Sequence, residues 1–76
     1  MTYFDRITVV PGLMNGQPTI RGMRLTVRRV LEAVSSYPDR QELLKNYPDL
    51  EEADIKQALE YAATYLEDSN HNVKVA

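Results

Sequence analysis

The rhythm of apolar and polar positions changes once along the chain, near residue 26. Before it, the run FDRITVV from Phe4 to Val10 is rich in β-branched residues, which favour a pleated, half-buried strand. Pro11-Gly12 stops that run. Asn15-Gly16 is a second turn signal, because both residues tolerate positive φ. The QPTI that follows predicts another short strand, with Ile20 facing the interior. Pro18 has no N–H to give a ladder, so its strand must lie at an edge or pair through its other side.

From Thr26 the period becomes helical. Thr26 suits an N-cap, and Val27, Val30, Leu31 and Val34 fall at i, i+3, i+4 and i+7 to make one apolar stripe. Pro38 ends this helix by pushing the residue before it out of the α region. Asp39 can cap a second, short helix, RQELLKNY, which offers Leu43, Leu44 and Tyr47 to a core until Pro48 stops it. The third helix is expected from about Glu51 to Glu67. Its stripe reads Ile55, Leu59, Ala62 and Leu66, with Ala58 and Ala63 small enough to let a neighbour approach. The final DSNHNVKVA has no stripe and is expected to be a flexible tail over residues 68–76, although VKVA can add as a strand to an open edge.

These elements predict a mostly α fold, a single domain over residues 1–67: a trihelical, helix-turn-helix-compatible bundle preceded by an N-terminal β-hairpin. A chain of 76 residues closes only one core and sits near the lower size limit for independent folding. Cysteine is absent, which excludes disulfides and thiolate metal sites. Self-association remains as the supplement, and a homodimer is expected. Pairing two hairpins across a two-fold axis relieves the marginal stability of a lone hairpin and closes its edge together.

Charge alters this picture because it is uneven. Residues 1–40 carry six arginines against Asp5, Glu32 and Asp39, a balance of plus 3; residues 41–76 balance at minus 5. Such polarity steers an anionic partner to one end, or brings two copies together front to back. Four of the arginines, Arg21, Arg24, Arg28 and Arg29, crowd into GQPTIRGMRLTVRR. As a solvated face they would make surface ion pairs of about 0–1 kcal/mol each. As a site they fit nucleic-acid phosphates or the carboxylates of an acidic partner. A conventional helix-turn-helix would send the third helix into DNA, yet that helix carries Glu51, Glu52, Asp54, Glu60 and Glu67 against Lys56. DNA contact is therefore expected at the hairpin and the start of the first helix.

Other chemistry is sparse. The single histidine, His71, falls in the expected tail, no His, Asp and Glu spacing suggests a metal, and the three glycines do not form a phosphate loop, so no enzyme activity and no cofactor are expected. Glu51, Glu52 and Asp54 read as first-turn charges favoured by the helix dipole. Tyr61 and Tyr65 read as packing residues. Neither a membrane-length apolar run nor a signal peptide is present, so a cytoplasmic location is expected.

Taken in order, RITVVPGLMNGQPTIRGMRLTV, a helix, and ELLKNYPDLEEADIKQALEYA resemble the small bacterial family known as Domain of Unknown Function 433. Members show an isoleucine before a Pro-Gly turn, a Gly-x-Pro-x-Ile-x-Gly-Thr-Arg stretch, a Tyr-Pro-x-Leu turn and a final Ile-x-x-Ala-Leu-x-Tyr-Ala signature. Here these correspond to Ile7 with Pro11-Gly12; to Gly16, Pro18, Ile20, Gly22 and Arg24; to Tyr47, Pro48 and Leu50; and to Ile55, Ala58, Leu59, Tyr61 and Ala62. The resemblance implies a homeodomain-like trihelical fold. It also implies the antitoxin half of a toxin-antitoxin pair, similar to VapB-type antitoxins that dimerise, bind their operator DNA and neutralise a PIN-like ribonuclease toxin. On that reading Arg21, Arg24, Arg28 and Arg29 meet DNA or toxin, and replacing Arg21 and Arg24 is expected to spare the fold. The alternative is a protein-interaction module with no nucleic-acid role. Three positions depart from the family pattern: Met23 for threonine, Tyr37-Pro38 for Gly-Ser, and Glu51 for a Ser or Thr N-cap, a weaker cap by about 1 kcal/mol.

Overall fold

The computed structural model describes residues 4–66. The expected tail, with His71, lies outside the described residues. Within them the β-rich front gives two three-residue strands, β1 (Ile7–Val9) and β2 (Pro18–Ile20), paired antiparallel with Ile7 opposite Ile20 and Val9 opposite Pro18. The Arg21 N–H donates to the Arg6 carbonyl at 2.8 Å, and this sets which residues turn their backbone groups inward. Thr8 and Thr19 therefore face each other through hydrogen bonds, while Ile20 and Pro18 point away from β1. The Ile20 N–H accordingly donates to the Leu25 carbonyl at 2.9 Å. Pro18 pairs through its other side, as its missing N–H requires, and costs the ladder nothing.

β1 is shorter than the expected Phe4–Val10 strand because residues 4–6 pack along the third helix instead. Phe4 meets Tyr61 edge to face at 5.4 Å, and the Arg6 N–H donates to Gln57 Oε1 at 3.0 Å. The strand connection is a turn closed by Leu13 N–H to Val10 carbonyl at 2.9 Å, then a 3-10 turn at Met14–Gly16. Asn15 and Gly16 there have φ of 59° and 75°, as the Asn-Gly pair foretold.

β2 ends in a second turn, closed by Met23 N–H to Ile20 carbonyl at 2.8 Å, whose two central residues are both left-handed: Arg21 at φ 47° and Gly22 at φ 70°. This turn folds the chain back so that Thr26 bridges Thr19. Thr26 then caps α1 (Val27–Ser36), its Oγ1 accepting from the Arg29 N–H at 3.0 Å. Asp39 caps α2 (Arg40–Asn46) in the same way, accepting from the Gln41 N–H at 2.9 Å. Pro48 ends α2 inside a turn closed by Leu50 N–H to Tyr47 carbonyl at 2.9 Å, and α3 spans Glu52–Ala63. The expected trihelical bundle behind a hairpin is the observed fold.

The core is Ile20, Val27, Val30, Ala33, Leu43, Leu50, Ile55 and Ala58, with α1 at the centre against β2, α2 and α3. The α3 stripe differs from expectation. Leu59 is 44 % exposed and Leu66 76 % exposed, whereas Asp54, Ile55 and Ala58 are buried. The inward face runs Asp54, Ile55, Ala58 and Tyr61, so Ile55 of the expected stripe is buried while Leu59 turns outward beside the buried carboxylate. α3 also stops at Ala63 rather than Glu67. Thr64 Oγ1 donates to the Tyr61 carbonyl at 2.6 Å, and Tyr65 and Leu66 N–H groups bond three residues back, which tightens the chain out of the α geometry. Among the described residues no helix is long and apolar enough to cross a membrane.

A Cβ added at either Gly12 or Gly22 would meet nothing within 4 Å, but only Gly22 is left-handed. Gly22→Ala is therefore expected to lower the unfolding free energy by about 1 kcal/mol. Gly12→Ala should be neutral or raise it by roughly 0.5 kcal/mol through the unfolded chain. Urea unfolding of the two variants distinguishes them.

Candidate functional site

The arginine-rich segment divides between two tasks. Arg21, held left-handed at the β2 turn, aims inward: its Nε donates to Asp54 Oδ1 at 3.1 Å and its Nη2 to Asp54 Oδ2 at 2.9 Å. The same Nη2 reaches the Asp49 carbonyl at 2.6 Å, tying the α2–α3 turn to the hairpin. From the other side Arg6 Nη1 donates to Asp54 Oδ1 at 2.9 Å and to Glu51 Oε1 at 2.6 Å. The Glu51 N–H donates to Asp54 Oδ2 at 2.9 Å, which serves one of the open donors at the start of α3. Asp54 itself has no exposed surface.

A carboxylate removed from water is stable as an ion only when charge and donors surround it. Here burial pushes the Asp54 carboxyl upward. The bonds from Arg21, the Glu51 N–H and Arg6 outweigh it, and the group is held below the ordinary aspartate value of 3.8. The Arg6 guanidinium is raised by its bonds to Glu51 and then Asp54, and Arg21 by its bonds to Asp54. Asp54 is thus a buried anchor as well as the first-turn charge its position predicts. Arg6, which the sequence reading did not single out, is its second clamp; the one sequence signal was a lone arginine beside a β-branched run.

Arg21 therefore departs from the expectation that its replacement spares the fold. The other three arginines point outward. Arg24, Arg28 and Arg29 are exposed and line one surface groove of ≈ 430 Å³ together with Leu25, Glu32 and Tyr47. A second groove of ≈ 320 Å³ continues from Arg24, Leu25 and Tyr47 to Met23, Pro48 and Leu50. Met23, in the position of the family threonine, packs its apolar chain against the core. Arg28 approaches Glu32 at 3.6 Å, but with the arginine 81 % exposed this pair contributes little. Among the described residues Arg24 and Arg29 have no carboxylate partner.

Arg28 and Arg29 also occupy the first turn of α1, which holds no acidic residue. Positive charge there opposes the helix dipole. α3 presents the contrary surface: Glu51, Glu52 and Glu60 are exposed, Glu52 paired with Arg40 and Glu60 with Lys56 at 2.8 Å. Among the described residues no cluster of three or more His, Asp or Glu side chains is placed to hold a metal.

Residues 7–62, from β1 to the end of α3, match the family described as Protein of unknown function (DUF433). The chain belongs to the DUF433 family. The solved structures include a similar one, the crystal structure of a DUF433 member protein from Anabaena variabilis ATCC 29413, at 31% identity and a TM-score of 0.71. That alignment covers 80% of this chain and 60% of the Anabaena chain, so this DUF433 protein spans under two thirds of its neighbour's length. No curated protein matches it.

Because the folded Asp54 carboxyl lies below its ordinary value, its stabilisation is complete above pH 3.8 and is lost as pH falls through the depressed folded value. Asp54→Ala is expected to lower the unfolding free energy at neutral pH by about 3 kcal/mol. The gap between wild type and Asp54→Asn should narrow as pH drops below about 4. Chemical denaturation across pH measures both, and a gap independent of pH contradicts the assignment.

Proposed function

We propose that this DUF433 protein is a non-catalytic, cytoplasmic binding protein of the antitoxin kind, homodimeric, that contacts operator DNA through Arg24, Arg28 and Arg29 and neutralises a PIN-like ribonuclease toxin. The observation that carries the DNA contact is the convergence of these three arginines on one groove, two of them in a helix turn where the dipole disfavours them. Cations at that helix end oppose the dipole, and a phosphate drawn between them would offset that cost. The guanidinium groups of Arg24 and Arg29, without carboxylate partners among the described residues, keep their donors free for phosphate, and a groove lined by three arginines supplies the salt-dependent attraction of a DNA contact.

The acidic surface of α3 supports the same orientation. Insertion of α3 into a groove would bring Glu51, Glu52 and Glu60 against phosphates, which favours approach to DNA by the β2–α1 side. Arg21 is reserved for the fold and serves this function by holding the turn that precedes Arg24. The toxin half of the proposal rests on the resemblance to VapB-type antitoxins, and co-purification of the chain with the product of the adjacent gene tests it.

The combined variant Arg24→Ala, Arg28→Ala, Arg29→Ala is expected to lose duplex binding while keeping its urea midpoint. Each single replacement should reduce the slope of log K against log salt by about 0.9. Fluorescence anisotropy with labelled duplex DNA over a salt series reads this. Absence of binding by the wild-type protein at low salt removes DNA and leaves a protein-interaction module.

A further inference from the structure

The hairpin has one closed side and one open side. β2 is closed, because the Ile20 N–H bonds to the Leu25 carbonyl and Thr19 bridges Thr26. On β1 the parity fixed by the Arg21 to Arg6 bond turns the backbone groups of Ile7 and Val9 outward, away from β2. The Ile7 N–H is taken by the Phe4 carbonyl at 3.2 Å. That leaves the Val9 N–H and the Ile7 and Val9 carbonyls without backbone partners among the described residues.

Exposed edges are ordinarily protected by lysine, other charges, an edge proline or a bulge. This edge has no such charge, since residues 7–20 contain no Asp, Glu, Lys or Arg. Instead it presents Val9 at 60 % and Val10 at 42 % exposure, two of the five exposed large apolar side chains in the described residues. A second copy fits these features. Centred on Val9, a two-fold axis lets each Val9 N–H donate to the other Val9 carbonyl. It also sets Ile7, whose N–H is already used, opposite Pro11, which has none, so the Val9 pair supplies the two backbone bonds of the seam and the flanking carbonyls are left to water. The exposed Val9 side chains meet, and no charges of like sign are brought together along the seam.

We infer that the β1 edge is the self-association surface of this protein, with two copies joined antiparallel through Val9 into a continuous four-stranded sheet. The inference rests on the homodimer named in the proposed function and gives that dimer its interface and register. It makes the two hairpins one ribbon, so that each copy's arginine groove is fixed relative to the other.

A cysteine cross-link tests the register, since the protein has no cysteine of its own. Val9→Cys places two thiols on a hydrogen-bonded antiparallel pair, about 5.5 Å apart at Cα, within the range a disulfide spans. Under mild oxidation it should form covalent dimer at least tenfold faster than Leu59→Cys, an exposed control on α3. Val9→Pro removes only an outward N–H and should weaken dimerisation at least tenfold by sedimentation equilibrium, with unchanged helical circular dichroism. A wild-type protein that is dimeric, with Val9→Cys cross-linking no faster than the control, overturns the edge while the homodimer stands. A wild-type protein that sediments as a monomer at submillimolar concentration overturns both.

Discussion

Everything in this small fold answers to one buried charge. Asp54 is sealed from solvent at the start of α3, and an unscreened carboxylate there is tolerable only with several donors around it. Its partners come from the ends of the chain's other parts: Arg6 before β1, Arg21 after β2 and the Glu51 N–H at the α3 cap. Through the second bond of Arg21 the α2–α3 turn joins as well. A core of eight buried apolar side chains supplies cohesion without direction, since hydrophobic burial favours no orientation. The ion-pair cluster supplies direction: its hydrogen bonds join the two ends of the hairpin to the start of α3.

That constraint also explains a strained backbone. Arg21 adopts a left-handed φ that suits glycine or asparagine better. The conformation persists because the turn brings the guanidinium to Asp54 and the Arg21 N–H to the Arg6 carbonyl at once. Relieving the strain would release both. The turn in turn sets the course of the next residues, so the exposed position of Arg24 and the entry of α1 follow from a turn that is tied to α3. Structure and proposed surface are linked in this way: one arginine is tied to Asp54 while three stand free of it.

Much of the fold was legible because it is specified locally. Thr26 and Asp39 cap the helices their sequence position announces, Pro38 and Pro48 separate the helices, and Asn15-Gly16 turns left-handed where its chemistry permits. Pro18 pairs through its free side for the reason its missing N–H gives. What was not legible is specified at long range. Arg6 and Arg21 lie 48 and 33 residues from Asp54, and nothing near Asp54 distinguishes a buried anchor from a surface charge beside a helix N-terminus. The same blindness blurred the α3 stripe: hydrophobicity placed Ile55 correctly but favoured Leu59 and Leu66, where the inward face is shared by a polar residue, Asp54. In the arginine segment, sequence located the cluster and could not divide it.

The division of the arginines is the central claim, and side-chain NMR reads it most directly. The Nε–Hε resonances of Arg6, Arg21, Arg24, Arg28 and Arg29 can be followed together while a short duplex DNA is titrated at low salt. Arg24, Arg28 and Arg29 are expected to shift or broaden, with Arg6 and Arg21 unchanged and slow to exchange with water. Movement of Arg21 with the outer three, or an Arg21 resonance that exchanges as rapidly as theirs in the free protein, contradicts the division.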